Sequence, residues 1–130
     1  MFNKLLNIAI AVNDIEAAVA RYEQAFGWTL DGEIGTLPAL GIRNAMLTVG
    51  EVSIELISPL PGETVLRRFL DTRGEGLYRL AFGSSEIDKD LARLDENNVG
   101  YVNLPSSDGG RIVMTRPSAA HGLMVELLER

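Results

Sequence analysis

The segment GLMVELLE, residues 122–129, is an apolar run with one carboxylate, Glu126, near its centre and another, Glu129, at its end. The segment GEVSIELIS, residues 50–58, has the same pattern, with Glu55 in the equivalent place. Both runs are β-rich at their flanks and too short for a buried helix, so we predict two strands. Because an isolated ionised carboxylate is costly to bury, each Glu is expected to face water, a partner or a ligand.

The similarity extends well beyond these two strands. Residues 6–27, LNIAIAVNDIEAAVARYEQAFG, resemble residues 78–100, YRLAFGSSEIDKDLARLDENNVG, and the pairs Asn7 and Arg79, Ala9 and Ala81, and Ile15 and Ile87 all lie 72 residues apart. Each half therefore predicts a strand, a helix and further strands that end in a Glu-bearing strand. A duplicated unit of this length indicates two copies that bury their sheets together with pseudo-twofold symmetry.

We therefore predict an α+β fold made of two βαβββ modules that form a cupped mixed sheet around a central cavity. The first module spans about residues 1–61 and the second about residues 74–130, with a linker helix at about residues 63–73. All of these elements belong to a single domain, residues 1–130, which is long enough to bury a substantial core.

Alternation along the strands places four polar side chains in related positions. In the first strand, residues 4–12, Asn7 shares one face with small residues, and the large apolar residues face a helix. Arg79 holds the corresponding place in the second copy, among Ala81 and Gly83. We expect Asn7, Glu55, Arg79 and Glu126 to converge in one cavity.

Local signals mark the ends of the intervening elements. Asn13 or Asp14 is expected to cap a helix that runs to about Phe26, with Phe26 on its buried stripe, and Gly27 ends it. A short strand is expected at residues 28–33, followed by a loop at residues 35–41. In the second copy, Ser85 is expected to open the helix.

Composition narrows the possible functions. The net charge of −6 disfavours nucleic acid as a partner, since that needs a basic surface. Without cysteine, no disulfide, thiol nucleophile or thiolate metal site is possible. No apolar run is long enough for a membrane span or has the form of a signal peptide, so no membrane partner and a cytoplasmic location are expected. We predict a homodimer that binds a small organic ligand or substrate.

Three segments resemble the vicinal oxygen chelate superfamily, which includes glyoxalase I, ring-cleaving dioxygenases, bleomycin-resistance proteins and methylmalonyl-CoA epimerases. The segments are FLDTRGEGLYRLAF (69–82), GGRIVMTRP (109–117) and LMVELLE (123–129). They resemble the methylmalonyl-CoA epimerases in particular, in the same order and across essentially the whole chain. The resemblance implies one glyoxalase/bleomycin-resistance-like domain and an isomerase or lyase activity, or binding alone.

The same resemblance shows where this chain departs from the pattern. In that superfamily four side chains hold a divalent metal; the two histidine positions fall on Asn7 and Arg79, and the other two ligands fall on Glu55 and Glu126. The single histidine, His121, lies in a predicted hairpin turn. Zinc, nickel and cobalt prefer nitrogen ligands, and Arg79 places a permanent positive charge where the cation belongs. No metal or other cofactor is expected, although two carboxylates and an amide oxygen leave a hard divalent cation possible.

These residues lead to two functional hypotheses and one purely structural interpretation. In the first, Arg79 replaces the metal and binds a substrate carbonyl, Glu55 and Glu126 move a proton as catalytic bases, and Asn7 contacts the ligand. That protein would be a metal-independent isomerase or lyase acting on a carbonyl or acyl-CoA compound. In the second, the protein binds a small molecule without turnover, as bleomycin-resistance proteins do. The structural interpretation is that Arg79 only neutralises the two carboxylates. Tyr78 is expected in the core.

Overall fold

The computed structural model describes residues 2–106 and 108–130. In chain order its elements are β1 (Phe2–Ala11), α1 (Ile15–Phe26), β2 (Thr29–Leu37), β3 (Ile42–Val49), β4 (Val52–Pro59), α2 (Val65–Arg73), β5 (Gly76–Ser84), α3 (Ile87–Glu96), β6 (Tyr101–Leu104), β7 (Ile112–Thr115) and β8 (Met124–Glu129). Short 3₁₀ helices occupy Pro38–Leu40 and Pro117–Ala120. The order is two βαβββ series joined by α2, so the predicted α+β class with a mixed sheet is confirmed.

The chain divides into two compact units. The first unit is Ile8–Tyr78, and the second consists of residues 2–7 together with Arg79–Arg130. Strand β1 therefore contributes residues to both. Strand order is β2-β3-β4-β1 on the side of the first unit and β1-β5-β8-β7-β6 on the side of the second. No helix in the described part of the chain is long and apolar enough to span a bilayer.

Helix α1 covers one face of the sheet in the first unit. Its N-cap is Asp14, whose carboxylate accepts a hydrogen bond of 3.1 Å from the backbone N–H of Ala17, and Gly27 ends it with φ of +71°. The large apolar residues of the first strand were predicted to face a helix, and Ile8, Ile10 and the following Val12 do pack with the buried residues of α1. The buried members of this core are Val12, Ile15, Val19, Ala45, Leu47, Ile54 and Leu56.

Helix α2 covers part of the opposite face, which the sequence analysis did not foresee. Its N-cap Thr64 accepts a hydrogen bond from the backbone N–H of Arg67, and Leu66 and Leu70 are its buried residues. They pack with Ala9, Ala11, Ile42 and Ile57, and Phe69 meets Tyr78 edge to face at 4.9 Å. The small side chains of β1 thus leave room for a helix, and Tyr78 lies against the core as predicted.

Two local predictions in the first unit were wrong. Phe26 is 60% exposed, because it is the last helical residue and packs on Trp28, at 5.1 Å between ring centroids, beyond the buried stripe. Strand β2 continues to Leu37 where a loop was expected, since the β2–β3 ladder absorbs extra residues through a register shift between Asp31 and Gly35. The first error arises because the helix ends at Phe26, and the second because the length of β2 depends on its pairing with β3.

Helix α3 packs on the sheet of the second unit. Its buried contacts join Ile87, Val113 and Leu127, with Phe82 packed against them. The helix begins at Ile87 after Glu86, which makes no side-chain capping hydrogen bond, so the expectation that Ser85 opens it was wrong. Instead the buried Ser84 hydroxyl donates to the buried carboxylate of Asp90 at 2.5 Å. This bond satisfies two polar groups at the end of β5.

Candidate functional site

Arg79 lies at the centre of the polar cluster in the second unit. It is on β5, where Arg79 and Ala81 point to one face and Phe82 points to the face covered by α3. The Arg79 side chain is buried, with 8% of the residue exposed. A guanidinium carries five N–H donors and stays charged at all physiological pH values, so a buried one needs acceptors around it.

Asn7 provides one of those acceptors. Nη1 of Arg79 donates to Oδ1 of Asn7 at 2.8 Å. Asn7 is on β1, and β1 and β5 are neighbours in the sheet. The two residues predicted to occupy equivalent first strands are therefore directly hydrogen-bonded. The amide oxygen of Asn7 is oriented by this contact toward the cation.

Glu126 provides the counter-charge. Strand β8 runs parallel to β5, with Glu126 opposite Ala81, so that Arg79 is its diagonal neighbour on the same face. Long side chains reach across such a diagonal. Nε of Arg79 lies 3.1 Å from Oε2 of Glu126, and the two side chains are 10% and 8% exposed. The second unit thus holds a buried ion pair with an amide beside it.

Glu55 lies in the first unit and is also buried. It faces Met46 across the β3–β4 hairpin, and its Oε2 accepts a hydrogen bond of 2.9 Å from Nδ2 of Asn44. The structure therefore brings together three of the four predicted residues, Asn7, Arg79 and Glu126. The convergence of Glu55 with them stays a prediction.

Asn44 is a polar residue that the sequence analysis missed. A signal was present, because alternation in the segment IRNAML places Asn44 on the strand face of the apolar residues Ile42 and Met46. Its importance depends on the register that places it diagonally across from Glu55, and register is not readable from β3 alone.

A separate cavity of about 540 Å³ opens in the first unit, near the end of β1 and the start of α1. Its lining includes the apolar residues Ile10 and Val12 and the charged residues Asp14, Arg21 and Glu75. None of the four predicted site residues lines it. His121 lies in a left-handed turn with φ of +57° after the second 3₁₀ helix, away from any regular strand position.

A fixed positive charge occupies the polar cluster of the second unit. The cationic Arg79 already contacts Asn7 and Glu126, two of the positions that the resemblance assigns to metal ligands. A guanidinium donates hydrogen bonds and cannot donate a lone pair to a metal. In residues 2–106 and 108–130, no group of three or more His, Cys, Asp or Glu side chains that could hold a metal ion occurs.

Comparison with known proteins assigns the class. Residues 7–114 match the family model of the glyoxalase/bleomycin resistance protein/dioxygenase superfamily. The chain belongs to this superfamily, as the resemblance of its sequence segments had implied.

Within the superfamily, the chain is similar to methylmalonyl-CoA epimerases. It is 27% identical to the ethylmalonyl-CoA/methylmalonyl-CoA epimerase of Cereibacter sphaeroides, covering 98% of each chain. The crystal structure of methylmalonyl-CoA epimerase from Mycobacterium tuberculosis superposes with a TM-score of 0.86 at 32% identity, covering 98% of this chain and 88% of that one. A variant of the Streptomyces coelicolor epimerase in complex with 2-nitronate-propionyl-CoA superposes at 0.87 with 25% identity, covering 99% and 95%.

Proposed function

We propose that this chain is a metal-independent isomerase or lyase of the epimerase type, acting on a small carbonyl compound such as an acyl-CoA thioester. One observation carries the proposal, namely the buried Arg79 held between Asn7 and Glu126. A fixed cation in a buried site is suited to stabilise negative charge that develops on a substrate oxygen. The similarity to epimerases that act on acyl-CoA substrates supports the substrate class.

The proposed chemistry is a proton transfer at the carbon next to the carbonyl. A carboxylate, Glu55 or Glu126, takes the proton as the C–H bond breaks, and the electron pair moves to the carbonyl oxygen to form an enolate. An N–H group of Arg79 stabilises that oxygen, and Asn7 helps to orient the ligand. Return of a proton to the opposite face gives the epimer, so no oxidant, reductant or metal takes part. A homodimer in the cytoplasm belongs to the same proposal.

Deuterium exchange tests this function. The chain is purified with EDTA and incubated with methylmalonyl-CoA in D₂O, and deuterium at carbon 2 is followed by NMR. We expect exchange well above the buffer rate, and Glu126→Gln should slow it by about 10²-fold or more. Glu129→Gln, on the exposed end of the same strand, is the matched control and should exchange like the wild type. No exchange by the wild type with methylmalonyl-CoA or ethylmalonyl-CoA would refute the catalytic proposal for this substrate class.

The direct Arg79–Glu126 contact favours a second candidate, binding without turnover. A carboxylate held by an ion pair is a weaker base, because protonating it sacrifices the pairing. In that case calorimetry should show that the wild type binds the acyl-CoA while the NMR experiment shows no exchange. Arg79→Ala should then weaken binding of the acyl-CoA, whereas Arg68→Ala, on the exposed face of α2, should not.

A further inference from the structure

The amide of Asn44 is held in one orientation between two strands. Its Nδ2 donates to Oε2 of Glu55 at 2.9 Å. The two residues are diagonal neighbours on the same face, since Glu55 lies opposite Met46 in the β3–β4 ladder. A carboxylate can only accept, so the NH₂ group must face Glu55 and the amide oxygen must point elsewhere.

Gly35 lies where that amide oxygen is directed. The register shift in β2 places Gly35 directly opposite Asn44. A Cβ atom added at Gly35 would lie 3.0 Å from Oδ1 of Asn44, tighter than ordinary contact, so the amide would have to move by a few tenths of an ångström. Glycine at this position therefore leaves the space that the orientation of Asn44 requires.

The second hairpin shows that the architecture does not need this amide. There Glu126 lies opposite Met114, just as Glu55 lies opposite Met46. The position that corresponds to Asn44 is Ile112, an apolar residue with no side-chain donor. The hairpin geometry is thus also built without an amide, so the architecture does not require the partly buried Asn44 beside a carboxylate.

We propose that Asn44 is a positioning residue for Glu55, and that Gly35 sets the orientation of its amide. The inference rests on the proposed function, in which Glu55 exchanges a proton with the substrate or faces it as a carboxylate. A donated hydrogen bond restricts the rotation of the carboxylate that accepts it. The Glu55 carboxylate would then be held in a fixed orientation.

A double-mutant cycle on stability tests the link between Gly35 and Asn44. Gly35→Ala should destabilise the wild type, because the new Cβ presses on Oδ1 of Asn44. In the Asn44→Ala background the same change should be neutral or stabilising, since the obstructing atom is gone and alanine restricts the unfolded chain. Equal effects of Gly35→Ala in both backgrounds would overturn the role given to Gly35.

Exchange kinetics test the link to Glu55. Asn44→Asp keeps the side-chain size but removes the donor, and should lower kcat for deuterium exchange by about tenfold or more with little change in KM. The exchange rate of this variant should also begin to drop at a higher pH than that of the wild type, because a second carboxylate makes Glu55 hold its proton more tightly. A purely structural role would move the melting temperature without moving the pH profile. Asn103→Asp, the same change on exposed β6, is the control.

The two possible failures are distinguishable. If the wild type neither exchanges nor binds methylmalonyl-CoA, the proposed function fails before any variant is made. If the wild type exchanges and Asn44→Asp keeps its kcat and pH profile, this inference alone is wrong. If the wild type binds without exchange, the readout becomes the dissociation constant, and an unchanged value in Asn44→Asp again overturns the inference.

Discussion

Nε of Arg79 lies 3.1 Å from Oε2 of Glu126, with the two side chains 10% and 8% exposed. The contact joins neighbouring parallel strands, β5 and β8, and Asn7 on β1 accepts a second hydrogen bond from the same guanidinium. Two charges removed from water are tolerated when they pair with good geometry, and removing one partner leaves the other uncompensated. Substitutions of Arg79 are therefore the most informative ones in the second unit.

The first prediction concerns the stability of Arg79→Ala. We expect its free energy of unfolding at neutral pH to fall by about 3–5 kcal/mol, since a buried carboxylate loses its counter-charge. Chemical denaturation measures this directly. The control is Arg68→Ala, whose side chain is 63% exposed and 3.9 Å from Glu63, and it should lose less than about 1 kcal/mol.

The stability of Arg79→Ala should also depend on pH, because Glu126 has lost its counter-charge. A buried carboxylate without its cation favours the protonated form, so the folded variant binds more protons than the unfolded chain does. Stability then falls as pH rises from mildly acidic toward neutral. If Arg79→Ala melts like the wild type at every pH, Arg79 does not neutralise Glu126, and the account of this site is wrong.

The second prediction concerns the metal content of the wild-type protein. Protein purified without chelator should carry no stoichiometric transition metal, because the cationic Arg79 contacts Asn7 and Glu126 where metal ligands would be needed. Elemental analysis with native mass spectrometry is the measurement. About one zinc, cobalt or nickel per chain would contradict it.

The third prediction is a gain of metal affinity in Arg79→His. This change removes the positive charge and adds a nitrogen ligand beside the Glu126 carboxylate, the combination that zinc and cobalt favour. Calorimetric titration should detect binding that the wild type lacks. Arg79→Gln, which removes the charge without adding the imidazole, is the control and should bind more weakly. Equal affinities of the two variants would mean that the imidazole does not reach the site.

The fourth prediction uses an ion pair on the surface of the first unit. Arg43 on β3 donates to Oε1 of Glu16 on α1 at 2.6 Å, and this hydrogen bond holds the pKa of the Glu16 carboxyl below its ordinary value of 4.5. Because the folded-state pKa is lowered, the contribution to stability is present above the unfolded value and is lost as pH falls through the folded one.

The melting temperature of Glu16→Gln should therefore lie slightly below that of the wild type at neutral pH, and the two should converge in acid. Glu63→Gln removes an exposed carboxylate that lies 3.9 Å from the guanidinium of Arg68, and it serves as the matched control. If the difference in melting temperature between Glu16→Gln and the wild type stayed constant down to acid pH, the effect would not come from the charge of Glu16.

Much of the fold follows from local properties of the sequence. Alternation along β1 and β5 predicts which side chains face the helices, because successive residues of a strand point to opposite faces. Asp14 and Gly27 mark the ends of α1, because a cap and a left-handed backbone are local requirements. The 72-residue offset predicts the repeated element order, and the polar character of Asn7 and Arg79 on small-residue faces identifies them as site candidates.

The partners of those side chains were decided only by the tertiary structure. Arg79 meets Glu126 because β5 and β8 are parallel neighbours in one register, and Asn44 meets Glu55 because the β3–β4 register makes them diagonal neighbours. A shift in β2 then brings Gly35 opposite the amide. Phe26 was assigned to the core because its helical spacing is right, yet the helix ends there and the ring is left largely exposed. Strand register and the ends of packing surfaces depend on contacts between residues far apart in the chain, and a local pattern carries no information about them.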